Sequence, residues 1–344
     1  MYLLIYLTPY NSINILYQQE AEAQERVVSS TTITLPPLAY KQNYKGLWDQ
    51  IYSEILLSLD VKGPVKTLVC AEESNFWFDK VIQSKNIKVI SAKEALAVCN
   101  VPIIHIGEQN IYSGDNINKW FSFKESAENI DNSLQNRYLF GPKSVESIWE
   151  KSLEEALVRE KIYSKFNSLD NNFLKSIEEF YISGEAFCNY KNLSELLLMV
   201  LDSINEQGFW TFHFDDKLLL NPLLPLFLEE KENVVEFVLQ YPFLSAAHIF
   251  TAPSLSQVNI LFEDRKEQIL SVKKEGVYLI PSVGKEEITV KMKLGKTSYD
   301  KKLSPSELGI VFDTRKRPLQ LSHSRAERLK IRETLRKQLS SWKG

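Results

Sequence analysis

The sequence predicts an α/β protein of two lobes, followed by a small β-rich domain and a terminal helix. Three observations carry this. Residues 1–90 read as β-β-β-α-β-α-β, and residues 101–214 read in the same order. Residues 246–321 hold short β-branched and aromatic runs punctuated by Pro and Gly. The length, 344 residues, suits two domains that share a cleft. The expected boundaries are 1–100 for the first lobe, 101–245 for a second lobe with a helical insertion, and 246–344 for the rest.

The first unit is justified element by element. Leu3–Leu7 is an apolar strand, Asn11-Ser12 a turn, Ile13–Gln18 a second strand and Val27–Leu35 a third. Pro36-Pro37 ends it. Leu47, Trp48, Ile51, Tyr52, Ile55, Leu56 and Leu59 recur at helical spacing. Val65–Ala71 reads as a strand, Phe76–Ser84 as a short helix and Ile87–Ile90 as a strand.

The second unit is expected to begin with strands at Val101–Ile106, Asn110–Ser113 and Trp120–Phe123. A polar stretch, Lys124–Lys143, separates these from a helix over Ser144–Phe166. Glu179–Ser183 is a strand and Leu193–Asn205 a helix with Leu196, Leu197, Val200, Leu201 and Ile204 inward. Phe209–Phe214 closes the unit. Apolar segments follow at Leu218–Leu228 and Val234–Leu239. Strands are then expected at His248–Thr251, Val258–Phe262, Gln268–Val272, Val277–Ile280, Glu287–Leu294, Gly309–Phe312 and Leu319–Leu321. The last element is a basic helix, Ser324–Trp342.

Composition narrows the chemistry. Apolar residues make up 44% and charged residues 25%, enough for a full core. Cys70, Cys99 and Cys188 have neither CxxC spacing nor an even count, which argues against a disulfide framework or a zinc site. The apolar start at Met1–Leu7 lacks a basic flank and a cleavage site, so it reads as a strand and not as a signal peptide. No apolar run approaches the ~18 residues that span a bilayer. The expected location is the cytoplasm. There are only 12 glycines, with no GxGxxG and no GxxxxGK[ST]. Phosphate loops need glycine, because the backbone must approach the ligand closely.

Three stretches carry a resemblance. Ile182-Ser183-Gly184-Glu185 is followed by a leucine-rich helix ending at Asp202, then by Gly208 through Asp215. Ile249–Pro253 forms a threonine/alanine-proline strand end. Leu308–Leu319 reads Leu-Gly-Ile-Val-Phe-Asp-Thr-Arg-Lys-Arg-Pro-Leu. With the two β-β-β-α-β-α-β units, these resemble the actin, Hsp70 and sugar-kinase ATPase superfamily, and within it the glutamate-mutase-associated L protein family. The resemblance implies two ribonuclease-H-like lobes around a nucleotide cleft. It implies ATP with magnesium as the cofactor of an intact member, and a reactivating-chaperone activity.

The cleft positions depart from that pattern. The first hairpin should carry an acidic residue, then glycine and Thr/Ser. Here it reads Tyr6-Leu7-Thr8-Pro9-Tyr10-Asn11-Ser12, with Tyr6 at the acidic position and Pro9 lacking an N–H. The second hairpin reads His105-Ile106-Gly107-Glu108-Gln109-Asn110, with His105 for aspartate and Glu108 for glycine. The nucleoside turn keeps Ser183 and Gly184, but its last glycine is Glu185. An inward carboxylate ~4 Å from a phosphate costs about 4 kcal/mol at an effective dielectric near ~20. That is roughly three decades of affinity. What remains of a cleft is Thr8, Asn11, Ser12, Gly107, Asn110, Ser183 and Gly184. The expectation is a degenerate, non-catalytic member with no catalytic residue, no metal and no cofactor. It would act as a scaffold or assembly subunit with a protein partner, an intact paralogue among the candidates. An active ATPase is the alternative.

Other features of the sequence have plainer roles. Asp215-Asp216 follows a strand end, where carboxylates can hold a metal, but a capping turn explains them more simply. His105 reads as a packed histidine before a catalytic one. Ser183-Gly184 lacks a GxSxG elbow. Phe76-Trp77-Phe78 reads as core. Residues 314–344 contain ten Lys and Arg and two Glu, a charge of +8 that leaves −11 for residues 1–313. Arg315, Arg317, Arg325, Arg328, Arg332 and Arg336 are therefore the candidate interaction residues. Nucleic acid, a membrane surface, an acidic protein and the chain's own acidic body all fit the charge. Without interleaved aromatics no specific nucleic-acid motif is present. Leu329, Ile331, Leu335 and Leu339 offer an anchoring stripe.

Overall fold

A computed structural model describes residues 1–19, 25–36, 46–71, 87–98, 102–107, 114–121, 125–140, 147–170, 172–184, 187, 192–229, 243–253, 255, 257–262, 267–272, 275–281, 287–294, 297–317, 333 and 337. These form a mixed α/β structure. The chain divides into two compact units built from interleaved segments. The first comprises Met1–Leu157, Ser183–Cys188 and Asp215–Phe243; the second comprises Val158–Ile182, Asn189–Phe214 and Leu244–Gly344.

The first unit is organised by a five-stranded sheet. Its strands are β1 (Tyr2–Leu7), β2 (Asn11–Gln19), β3 (Glu25–Thr34), β4 (Lys66–Ala71) and β5 (Lys88–Ser91), in the order β3-β2-β1-β4-β5. The β1–β2 and β2–β3 pairs are antiparallel, whereas β1–β4 and β4–β5 are parallel. Strand β1 is apolar throughout because both its faces are covered. Leu3, Ile5 and Leu7 pack with Trp48, Ile51 and Ile55 of α1 (Leu47–Ser58). Leu4 and Tyr6 pack on the opposite face with Leu220, Leu223 and Leu224. Leu220 and Leu223 lie on the short helix α8 (Leu220–Leu223), and a second short helix, α9 (Leu226–Glu229), adds Leu226 and Phe227 to the same cluster. Glu229 of α9 pairs with both Lys66 and Lys88 at the starts of β4 and β5.

The first unit also holds α2 (Ala92–Val98), β6 (Ile103–His105), α3 (Gly114–Asn118), α4 (Ala127–Phe140) and the start of α5 (Ile148–Ser168). Here the observed elements differ from those expected. Trp120 lies in a turn after α3 and not in a strand, and Phe121 follows it without strand pairing. Both side chains are buried, so aromatic burial had imitated a strand signal. The polar stretch after Lys124 is a helix: Ile130 and Leu134, four apart, supply its buried face. Glu125 accepts from the Ser126 and Asn129 side of its first turn. The expected segments Phe76–Ser84, Asn110–Ser113 and Val234–Leu239 lie outside the described residues, as do Cys99 and Cys188.

In the second unit the strands β7 (Glu179–Ser183), β8 (Gly208–Phe214), β9 (Leu244–Thr251), β12 (Val277–Ile280) and β15 (Ile310–Asp313) run in the order β12-β15-β9-β8-β7. The β7–β8 and β9–β15 pairs are parallel, and β8–β9 and β12–β15 antiparallel. Helices α6 (Phe173–Ser176) and α7 (Leu193–Ser203) belong here. Asn192 caps α7 by accepting from the Glu195 N–H at 3.2 Å. Helix α7 is buried on every side, as its run of leucines requires.

A second, antiparallel sheet has the order β11-β10-β13-β14, from β10 (Gln257–Phe262), β11 (Glu267–Ser271), β13 (Ile288–Leu294) and β14 (Thr297–Leu303). Its inner face, with Val258, Ile260, Val290, Met292 and Leu303, packs on Phe250, Ile310 and Phe312. Strand β14 was not expected, because its sequence TSYDKKL is polar at most positions; among its described side chains only Leu303 is deeply buried. Leu319–Leu321 lies outside the described residues.

Candidate functional site

The first candidate site is the β1–β2 turn of the first unit. Leu7 pairs with Ser12, and the Thr8 N–H donates to the Asn11 carbonyl at 2.8 Å, closing the turn. The Thr8 hydroxyl accepts from the Tyr10 N–H at 3.2 Å and from the Asn11 N–H at 2.8 Å. Pro9 has no N–H. Every backbone donor from Thr8 to Asn11 is thus either missing or used within the turn. Ser12 is fully buried and receives the Asn14 side-chain amide at both its carbonyl and its hydroxyl. Tyr6, at the acidic position of the resemblance, is fully buried in the core beneath α8.

A second cluster joins the ends of β7 and β8. Ser183 donates to Asp215 Oδ2 at 2.8 Å and lies 3.4 Å from Asn221 Oδ1. Asp215 also accepts the N–H groups of Leu219 and Leu220, both at 2.9 Å. The aspartate therefore caps the entry to α8, the simpler of its two sequence readings. Burial pushes its carboxyl up to about 6, against the pull of the Leu220 and Leu219 N–H groups and the Ser183 hydroxyl. Gly184 has φ 138°, and a Cβ there would run into the Ile106 carbonyl. The Ile106 N–H in turn donates to the Ser183 carbonyl at 2.9 Å. Glycine at 184 is dictated by this close backbone approach. His105 packs beside Tyr6, ring centroids 6.5 Å apart. Gly107 ends the described part of that loop. Glu108, Asn110 and Glu185 lie outside the described residues.

A phosphate needs backbone or hydroxyl donors that are free to turn toward it. The N–H groups of Thr8, Tyr10 and Asn11 and the Ser183 hydroxyl already have intramolecular acceptors. No group of three or more His, Cys, Asp and Glu side chains that could hold a metal occurs among the described residues.

The third constellation lies in the second unit and was only half legible. Asp313 ends β15 with no side-chain exposure. Arg315 Nε donates to both its oxygens at 2.9 and 3.1 Å, and Arg315 Nη2 donates at 2.6 Å. Arg315 Nη1 reaches Asp202 at 2.7 Å, and Arg159 of α5 pairs with the same carboxylate. Arg317 pairs with Asp313 and donates to the Leu201 and Ile204 carbonyls at 2.6 and 2.7 Å. It thereby caps the C-terminus of α7, where the helix dipole favours a cation. Burial works against the charge on Arg315, but Asp313 and Asp202 outweigh it and hold the guanidinium above its ordinary value. Burial lowers Arg317, with Asp313 opposing.

Two nearby contacts complete the hub. The Thr251 hydroxyl accepts from the Gly208 N–H at 3.0 Å and donates to the Glu206 carbonyl at 2.8 Å. The Ala252 N–H donates to the Asp313 carbonyl at 2.9 Å. The end of the leucine-rich helix, the Thr251-Ala252-Pro253 strand end and the Asp-Thr-Arg-Lys-Arg turn therefore meet at one place.

This changes the reading of two residues. Arg315 and Arg317 are candidate interaction residues for an anionic partner or for the chain's own acidic body; their side chains are 9% and 1% exposed and pair with Asp202 and Asp313. Arg325, Arg328, Arg332 and Arg336 lie outside the described residues. Arg159 and Asp202 were missed as a pair. One signal was available: an aspartate in the last turn of a helix opposes the dipole, so Asp202 requires a cationic partner.

No family model matches this chain, and no curated protein is significantly similar to it. No described helix is long and apolar enough to cross a membrane.

Proposed function

We propose that this chain is a non-catalytic protein of actin-like ATPase architecture, with ribonuclease-H-like lobes, acting as a scaffold or assembly subunit for a protein partner in the cytoplasm. The observation that carries the proposal is the β1–β2 turn. Its backbone donors and the Thr8 hydroxyl satisfy one another, and the acidic position is the core residue Tyr6. The strand order β3-β2-β1-β4-β5 supports the lobe assignment. The convergence of three resembling stretches on the Asp202–Asp313 hub supports kinship through the scaffold, with the cleft chemistry lost.

Titration calorimetry with ATP and magnesium tests the reading. No heat of binding at millimolar nucleotide is expected. Micromolar binding with turnover contradicts it and favours the reactivating-chaperone alternative. A nucleic-acid or membrane-surface role gains no support from Arg315 or Arg317, both of which are internal.

A further inference from the structure

One face of β7, β8 and β9 carries a run of polar and titratable side chains. The register sets Glu179 beside Thr211, Tyr181 beside His213, and Thr211 beside His248. Side chains alternate along a strand, so these five project from the same face. The two histidines differ in how their ring nitrogens are used. His248 Nε2 lies 2.7 Å from the Ser304 carbonyl, which can only accept, so Nε2 carries the proton. Its Nδ1 is then the acceptor for the Thr211 hydroxyl at 3.2 Å. His213 Nε2, by contrast, is shielded from water and makes no hydrogen bond among the described residues. It faces Glu179 Oε2 at 3.6 Å, too far for a hydrogen bond and near enough for an ion pair once the ring is charged. The same oxygen accepts from the Tyr181 hydroxyl at 3.0 Å. The His213 ring lies flat on the Tyr181 ring, with centroids 4.5 Å and planes 11° apart.

We propose that Glu179, Tyr181 and His213 form a proton-operated latch between β7 and β8. In the open state the uncharged imidazole rests on the Tyr181 ring while the phenol alone holds the carboxylate. On protonation His213 Nε2 donates to Glu179 Oε2, drawing the carboxylate onto the stacked pair and cancelling its charge. A cation on a tyrosine face is itself favourable, so the stack survives the change. The groups that act on His213 are Glu179 and Tyr181 from β7 and His248 from β9. Glu178, beside Glu179, is paired with Lys301 of β14 at 2.6 Å. Burial lowers His213 below the ordinary imidazole value; Glu179 opposes this and His248 adds to it. The ring is therefore uncharged near neutral pH and takes its proton on acidification. The folded chain binds that proton less readily than the unfolded chain. The contribution of His213 to stability is thus present above the ordinary value and lost as pH falls through the folded one, and Glu179 limits the loss.

Side-chain NMR of the full chain, with isotope-labelled histidine and tyrosine, tests this between about pH 8 and about pH 5. His213→Gln identifies the His213 signals and Tyr181→Phe those of Tyr181. In the wild type the Tyr181 signal should shift with the same midpoint as His213, and His213→Gln should abolish that shift. Glu179→Gln replaces a side chain that is 54% exposed, so the chain should stay folded. It should lower the His213 midpoint by about half a unit or more. The latch is overturned if Glu179→Gln leaves the His213 midpoint in place, or if the Tyr181 signal does not follow His213 or still shifts in His213→Gln. A His213 that takes up no proton in the folded chain over this range overturns it as well.

Discussion

Replacing Arg315 with methionine separates an internal hub from an anion-binding surface. Methionine keeps most of the aliphatic length and removes the guanidinium. Four hydrogen bonds disappear: three to Asp313 and one to Asp202. Asp313 has no exposed side-chain surface and Asp202 only 12%, so water does not replace them. Breaking a buried ion pair from one side costs about 3–5 kcal/mol. Arg159 and Arg317 still neutralise part of the stranded charge, which places the expected loss near the lower end, about 3 kcal/mol. Urea unfolding followed by circular dichroism reads this as a lower midpoint. Because Arg315 faces inward, the variant should behave like wild type toward heparin or DNA under conditions where it remains folded. A loss below about 1 kcal/mol, the range of surface ion pairs, together with weaker polyanion binding, refutes the buried-hub reasoning.

The remaining predictions concern the first unit. Asp215 has a folded pKa of about 6 against an ordinary value of 3.8. The folded state therefore holds its proton more tightly, and this group's contribution to stability falls as pH rises through that window and is level above it. Two pKa units correspond to about 3 kcal/mol; Asp215→Asn should flatten this part of the curve of urea midpoint against pH, and an unchanged slope counts against it. Thr8→Val removes the acceptor for two backbone N–H groups at nearly constant shape and should cost about 1–3 kcal/mol by the same urea assay. A neutral result there means the turn is not held by the hydroxyl. Gly184→Ala forces a side chain into the Ile106 carbonyl at φ 138°. It should cost about 1–3 kcal/mol or more and lower the soluble yield; wild-type yield and midpoint contradict the close-approach argument.

Some parts of this fold are legible in sequence for physical reasons. Strand β1 declares itself because a strand covered on both faces needs an uninterrupted apolar run, Leu3–Leu7. Helix α7 is legible through Leu196, Leu197, Val200 and Leu201. Strand β14 is hidden because an edge strand with one wet face needs few apolar residues. Helix α4 is hidden for the related reason that Ile130 and Leu134 make a narrow stripe in a polar sequence. Trp120 and Phe121 misled in the opposite sense, since buried aromatics sit as well in a turn as in a strand.

The candidate site divides along similar lines. That Tyr6 is not acidic and that Pro9 lacks an N–H are matters of residue identity and visible at once. The internal use of the Thr8 hydroxyl is a matter of turn geometry. The Asp-x-Arg-x-Arg alternation at 313–317 read as surface charge because its partner Asp202 is distant in sequence, and the one local signal, an aspartate in the last turn of α7, does not name the arginine that answers it.

On the proposed function the β1–β2 turn satisfies its own N–H donors and binds no phosphate. The most direct measurement is titration calorimetry of the full chain with ATP and magnesium, repeated on Thr8→Val. The account predicts no binding heat in either protein at millimolar nucleotide. A micromolar dissociation constant in the wild type that Thr8→Val weakens would contradict it, because the hydroxyl would then be serving a ligand and not the turn.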